Sequence, residues 1–219
     1  MAEISHGDFQ SRLIPTMKRE KILGIRVPNL RAYARKMGRE DPKRAATFLD
    51  SLPHRYFDED NLHAFFIEGI RDYDEAMRRT ELFLPHIDNW ATTDSFSPRV
   101  FRNHPKRVYQ NIMRWMESEH VYTVRYGIGL LLSNYLDENF SLESMERVAG
   151  LDSDEYYIRM MVAWYFATAL VKQRPAAMNV LEGEILDPWV HNKAIQKAIE
   201  SRRIEEEMKS QLRGMKRKL

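Results

Sequence analysis

The chain has 219 residues, 43% of them hydrophobic and 30% charged, with nine glycines, nine prolines and no cysteine. That composition excludes a disordered chain and a turn-rich β-sandwich, and the missing thiols exclude disulfides, zinc–thiolate sites and a cysteine nucleophile. Net charge is only +2, but the signs run in blocks: nine Lys/Arg against one acid over 10–39, ten acids against four arginines over 50–88, five Lys/Arg and no acid over 95–116, and seven acids against one arginine over 137–155. Two readings fit this pattern: a mixed, solvated surface, or basic blocks that the fold gathers into one face for a polyanion such as nucleic acid.

In chain order, "MAEISHGDFQ" lacks the basic-then-apolar layout of a secretory signal. With no disulfide framework, the expected location is the cytoplasm. "VPNLRAYARKMG" predicts a helix with Pro28 in its first turn, Gly38 just past its end, and Leu30, Tyr33, Ala34 and Met37 on one apolar stripe. "DEDNLHAFFIEGIRD" predicts another, with acids in the first turn and Leu62, Phe65, Phe66 and Ile70 as its stripe. No window alternates with period two, and no Asn-Gly or Asp-Gly hairpin turn occurs.

The second half suggests a repeat. "HVYTVRYGIGLLLSNYL" from His120, "EYYIRMMVAWYFATALV" from Glu155 and "PWVHNKAIQKAIESRRI" from Pro188 each carry an aromatic at the second or third position and continue as a helix. Shorter amphipathic segments, "SLESMERVAG" and "RPAAMNVLEG", lie between them. A period in the mid-thirties is one helix pair per unit, and such units stack into a curved solenoid with a concave surface. An irregular all-α domain with chance spacing is the alternative. The longest apolar run, Met160 to Val171, is bounded by Arg159 and Lys172 and is too short for a membrane span. The tail from Arg202, with seven basic residues and three glutamates, is expected to continue as helix and then fray.

Several chemistries are absent. "YGIGLLL" is a lone Gly-x-Gly within a helical pattern, and no Gly-x-Ser-x-Gly elbow occurs. The seven histidines are scattered without metal-ligand spacing, so no metal or organic cofactor is expected. What remains is "IDNWATTDSFSPRVFRNHPKR". If Asn89 opens a helical turn, Trp90 and Asp94 share one face. An indole and a carboxylate one turn apart can hold a planar cation, the indole contributing about 0.5–2 kcal/mol. A helix cap for Asp94 and core packing for Trp90 fit the same residues. Beside them, Arg99, Arg102, Lys106, Arg107 and Arg114 alternate with Phe101, Tyr109 and Trp115; the cations suit phosphates and the aromatics suit the interior.

The ordered set of segments resembles the bacterial DNA alkylation repair family of alkylpurine DNA glycosylases. "ILGIRVPNLRAYARKM" is similar to its Gly-Ile/Val-x-x-Pro-x-x-Arg segment, "NWATTDSFSP" to its Trp-x-x-x-Asp segment, "VYTVRYGIGLLL" to the helix whose arginine faces DNA, and "YYIRMMVAWYFATAL" to the helix with a second pocket tryptophan. The likeness runs from about Lys21 to Arg203. It implies an all-α, right-handed superhelical solenoid of HEAT-like helix pairs with a concave basic face. The expected organisation is a single domain over 1–219, with 1–20 as a partial first helix and 204–219 as a basic C-terminal tail. By the same resemblance Asp94 would be the catalytic carboxylate, Trp90 and Trp164 the pocket walls, and Arg125 a contact to the DNA backbone, with Arg99, Arg102, Lys106 and Arg107 as further DNA contacts. The implied activity is hydrolysis of the N-glycosidic bond of cationic N3- or N7-alkylated purines in double-stranded DNA by a monomer, without membrane association. One position departs from the pattern: Ala167 stands where the family commonly has an arginine one turn after the second tryptophan. The competing reading is a non-catalytic module of the same family that binds nucleic acid or a protein.

Overall fold

A computed structural model describes residues 2–218; the expected chain ends at Met1 and Leu219 lie outside the described residues. The fold is all-α, with thirteen α-helices and no strand among the described residues. It comprises two compact units, 1–110 and 111–219.

In the first unit, α1 (Ile4–Leu13) leads through a 3-10 turn (Arg19–Lys21) to α2 (Val27–Glu40), α3 (Pro42–Asp50), α4 (Phe57–Glu68) and α5 (Tyr73–Phe83). A second 3-10 turn (Leu84–His86), the six-residue α6 (Trp90–Ser95) and a third 3-10 turn (Arg99–Asn103) follow, before α7 (Pro105–Met116) carries the chain onward. Within the first twenty residues, α1 spans ten, Ile4–Leu13. The α2 stripe forms as expected, with Leu30 and Ala34 buried. Its end does not fall at Gly38. The helix continues to Glu40 because a Cβ at Gly38 would meet nothing and no left-handed residue intervenes. The stop comes at Asp41, which closes α2 and caps α3 by accepting from Arg44 N at 3.0 Å, with Pro42 in the first turn of α3.

Helix α4 is the centre of this unit. It packs against α2, α3, α5 and α6. The stripe read from sequence is therefore too narrow: Asp58, Asp60, Asn61, His63, Ala64 and Ile67 are buried with Phe65 and Phe66. Glu59 holds its start, accepting from Arg55 N (3.1 Å) and Tyr56 N (3.0 Å). Asp58 reaches the other way. Its two carboxylate oxygens accept from Leu23 N and Ile25 N, both at 2.7 Å, and so clamp the segment around Gly24. Gly24 has φ +79°, and a Cβ there would lie 2.4 Å from Glu3 O and 2.7 Å from Gly7 N. Only glycine satisfies both demands.

In the second unit, the expected helices appear as α8 (Val121–Asn134), α10 (Tyr156–Lys172) and α12 (Pro188–Glu200), with α9 (Leu142–Ala149) and α11 (Arg174–Glu182) between them and α13 (Glu206–Gly214) last. Helix α10 packs between α8 and α12, and α9 packs on α11, so the mid-thirties period corresponds to stacked helix pairs. Gly127 lets α8 approach the end of α7, where its Cβ would meet Met116 Cγ at 3.3 Å and Ile112 O at 3.4 Å. No described helix is long and apolar enough to cross a membrane.

The tail corrects its expectation. The chain breaks after Glu200, forms α13, and folds back. Asn192 binds the Arg217 main chain on both sides, donating to its O (2.8 Å) and accepting from its N (2.9 Å). The Arg217 guanidinium donates to Leu186 O (3.1 Å) and Leu181 O (3.0 Å), carbonyls left over at the end of α11 and beyond. Arg217 therefore serves as a main-chain donor, while Lys209 and Arg213 pair with Glu206.

Replacing Gly24 by alanine should cost about 1–3 kcal/mol, since it adds both a left-handed backbone penalty and a main-chain clash. Urea unfolding of Gly24→Ala against wild type measures it; an unchanged midpoint would show that the Asp58 clamp does not hold this turn rigidly.

Candidate nucleic-acid and base-recognition site

Helix α6 is too short to persist by propensity, and it is fixed at both ends by side chains. At its start Asn89, fully buried, accepts from Thr92 N at 2.9 Å. At its end Arg31 donates to Ser95 O and pairs with Glu68, while the other Glu68 oxygen accepts from Ser97 N at 3.2 Å. The Arg31 guanidinium also lies 4.0 Å over the Phe65 ring. Arg31 is the arginine of "GIRVPNLR", so that segment now has a structural role: Gly24 makes the turn, Pro28 starts α2 and Arg31 fastens α6.

Between these anchors Trp90 and Asp94 sit one turn apart on one face, as the spacing requires. Trp90 is half-buried. Its ring packs against the apolar cluster of Ile14, Met17, Ile22 and Phe57, and its Nε1 donates to Leu13 O at 3.3 Å. The packing alternative is therefore realised for part of the ring only. Asp94 lies on the exposed side of α6, where Thr93 Oγ1 donates to its Oδ1 at 3.2 Å. It lies inside α6 and is not the N-cap of the next helical turn, which begins at Arg99 with Pro98 as N-cap and no side-chain cap.

The cationic strip divides. Arg99, Arg102 and Lys106 are exposed, and no described acid pairs with them. Arg107 is spent differently, on Asp74 at 2.6 Å and over the Tyr73 ring at 4.0 Å. Phe101 and Trp115 are buried, as expected of the aromatics in this stretch.

In the second unit, Trp164 is 43% exposed although α10 is otherwise the most apolar helix. Helices α8, α11 and α12 cover the rest of α10, leaving a strip of Tyr157, Met160, Trp164, Thr168 and Val171 partly open. Core packing does not account for Trp164. Arg125 is only 5% exposed, and its Nη1 donates to Tyr157 O at 2.8 Å, at the start of that strip. Ala167, one turn after Trp164 on α10, is buried. Neither nearby cation substitutes for an arginine there: Arg159 pairs with Asp187 and lies 4.7 Å over the Trp189 ring, and Lys172 pairs with Asp137.

Sequence reading passed over the polar interior of α4. Asp60 is 7% exposed and accepts no hydrogen bond from a described residue. Burial raises its carboxyl to about 8; Asp88 and Glu59 push the same way, and Lys21 opposes them. His63, fully buried, shares a proton with His54 (Nδ1 to Nε2, 2.8 Å) and stacks on Phe83 at 4.2 Å. Burial lowers it to about 3, with His54, Arg79 and His86 adding to the effect. Period-based reading treats α4 as an ordinary amphipathic helix; the signal for the polar interior was the density of Asp, Asn and His among its apolar residues. No described group of three or more His, Asp or Glu is placed to hold a metal ion.

A model of the family described as DNA alkylation repair enzyme matches residues 8–198. No curated protein matches the chain.

Two measurements check this region. Arg31→Met leaves Glu68 without its partner in a partly buried place and should destabilise by about 2–3 kcal/mol, while Trp90 fluorescence shifts toward that of an exposed indole. Asp60 binds a proton more tightly folded than unfolded, so its stabilising effect is full below about pH 4 and is lost as pH rises through about 8. Asp60→Asn should therefore be more stable than wild type by about 1–3 kcal/mol at pH 9 and within about 0.5 kcal/mol of it at pH 4. His63 acts with the opposite sign, its contribution full above about 6.5 and lost as pH falls toward about 3.

Proposed function

Because the chain belongs to the DNA alkylation repair enzyme family, we propose that it is a DNA glycosylase that hydrolyses the N-glycosidic bond of cationic N3- or N7-alkylated purines in duplex DNA. The observation that carries this reading is the fixed α6: an anchored indole and a carboxylate one turn apart, held at one end by Asn89 and at the other by Arg31 and Glu68.

The chemistry asks little of the protein. Alkylation at N3 or N7 gives the purine a positive charge, so the base leaves as a neutral molecule and takes the bonding electrons with it. No general acid is needed. Positive charge develops instead on the sugar, at C1′ and its ring oxygen. Asp94, acting as a carboxylate, stabilises that charge and orients the water that attacks C1′. The water's oxygen bonds to C1′, its proton passes to Asp94 and then to solvent, and an abasic site and a free base result. Trp90 offers the face of its indole to the cationic base, and Trp164 supplies a second aromatic surface. Arg125 serves the backbone near the lesion, and Arg99, Arg102 and Lys106 neutralise phosphates. Arg107, already paired, contributes least to that neutralisation.

A specific observation favours the non-catalytic alternative: Ala167 replaces the arginine, and Arg159 and Lys172 are both engaged by acids. The same experiment separates the two. Purified protein is incubated with methylated duplex DNA and release of 3-methyladenine and 7-methylguanine is measured. Catalysis predicts release by wild type and a loss of about 100-fold or more in Asp94→Asn with DNA affinity retained. Binding without release at any protein excess would leave only the module. In the binding arm, alanine at Arg99, Arg102 or Lys106 should each lower the slope of log affinity against log salt by about one, and alanine at Arg107 by clearly less.

A further inference from the structure

Thr93 stands between Trp90 and Asp94 on α6 and is 4% exposed. Its Oγ1 lies 2.8 Å from Trp90 O and 3.2 Å from Asp94 Oδ1, so one hydroxyl touches both residues of the candidate site. The contact to Trp90 O reaches back three residues, as threonine hydroxyls do in helices, and it fixes the rotamer and hence the place of Oγ1. The contact to Asp94 is less ordinary. Asp94 is on the exposed side of α6, where a carboxylate can turn into water; here it turns back to Oγ1 instead. Thr92 shows that such pairing is not automatic: it is fully buried, and its Oγ1 meets no partner among the described residues.

A hydroxyl has one proton to donate and lone pairs with which to accept. With almost no access to bulk water, Thr93 must divide that proton between two oxygens. When Asp94 is a carboxylate, its charge draws the proton, because a hydrogen bond to an ionised acceptor is roughly twice as strong as one to a neutral carbonyl. When Asp94 carries a proton, the direction reverses: the acid donates to Oγ1, and the hydroxyl turns to Trp90 O. Each state leaves the two side chains hydrogen-bonded, so Asp94 can change charge without losing its hold on α6.

We propose that Thr93 is a positioning residue for base release: its hydroxyl orients the Asp94 carboxylate and keeps it hydrogen-bonded in both of its protonation states. The inference rests on the glycosylase reading and deepens it by naming what steadies the carboxylate. In the step itself the water oxygen bonds to C1′, the bond from C1′ to the purine breaks with its electrons leaving on the base, and the water proton goes to Asp94 and on to solvent. Thr93 neither gains nor loses a proton; its O–H swings from Asp94 Oδ1 to Trp90 O and back. A carboxylate at the surface without that hydroxyl samples several orientations, only some of which face the sugar, and misplacing a reacting group by about 1 Å can cost about 100-fold.

The test uses the full chain and two kinds of probe: a duplex holding 7-methylguanine, for single-turnover base release, and duplexes holding either a cationic pyrrolidine or a neutral tetrahydrofuran in place of one sugar and its base, for affinity. Thr93→Val keeps the shape of the side chain and removes the hydroxyl. It should slow release about 10–100-fold while affinity for undamaged duplex stays within about twofold, and it should lower the preference for pyrrolidine over tetrahydrofuran about 3–10-fold. Thr93→Ser, which restores the hydroxyl, should recover both to within about threefold of wild type. A role confined to the Trp90 carbonyl would lower the urea midpoint of Thr93→Val and leave the preference for pyrrolidine unchanged, which would overturn the proposal. So would a loss in Thr93→Val that serine does not recover, since bulk rather than the hydroxyl would then be at work. If wild type releases no base, the glycosylase reading fails, and the pyrrolidine arm still decides whether the Thr93 hydroxyl holds Asp94 toward a cationic sugar. A wild type that releases no base and does not prefer pyrrolidine would sink both.

Discussion

The pairing of Arg31 with Glu68 at the end of α6 is the constraint on which the candidate site depends. Six residues cannot hold a helix in water, because nucleation fixes several dihedral angles for very few hydrogen bonds. Here the carbonyl of Ser95 and the amide of Ser97 are taken up by one arginine and one carboxylate from two different helices. The pair is partly buried, so each charge needs the other: removing one leaves an isolated ion where water reaches poorly. Specific geometry for α6 follows, since a bidentate network of this kind has one arrangement and α2, α4 and α6 must all meet it.

Helix α4 carries the opposing elements of this unit. Asp58 points to the Gly24 turn, Asn61 and Glu68 point toward α6, and His63 points into an aromatic box of Phe48 and Phe83. Such a helix gains less from apolar burial than α10 does. It gains definition instead, because Asp58, Asn61, Glu68 and the Nδ1 of His63 each meet a particular partner, while the buried Nε2 of His63 meets none among the described residues. Asp60 is the exception. A carboxyl buried beside Asp88 and Glu59, accepting no hydrogen bond from a described residue, costs stability above neutral pH, and Lys21 offsets that cost only in part.

Much of this was legible in the sequence, and the reasons for the exceptions are physical. Pro28, the stripe of α2, and the three long helices beginning near Val121, Tyr156 and Pro188 follow from periodicity and end signals alone. The Trp90–Asp94 spacing correctly places both side chains on one face. Gly38 misleads because glycine ends a helix only where a left-handed residue is required; here Asp41 and Pro42 impose the stop three residues later. The tail misleads because its charge suggests solvent, whereas Arg217 spends two guanidinium donors on the Leu181 and Leu186 carbonyls, which no local pattern reveals. Trp164 lies in so apolar a helix that exposure is invisible to any window average; it depends on which neighbours cover which side of α10. Arg31 and Glu68 are 37 residues apart, and nothing local announces their pairing.

Ala167 bears on how much affinity such a site can dispense with. Phosphate contacts position DNA and are partly interchangeable, since each adds a similar electrostatic increment and none reads the base. On the proposed glycosylase reading the carboxylate and the indole are not interchangeable, because each would act at one place in the substrate: the sugar that gains positive charge, and the cationic ring that leaves. On the same reading, alanine at 167 in place of an arginine is a graded change in phosphate affinity. On that reading, loss of Asp94 would remove the carboxylate of α6 that is proposed to meet the developing charge. An alteration at 167 thus belongs with affinity and salt dependence, and one at 94 with the bond-breaking step itself.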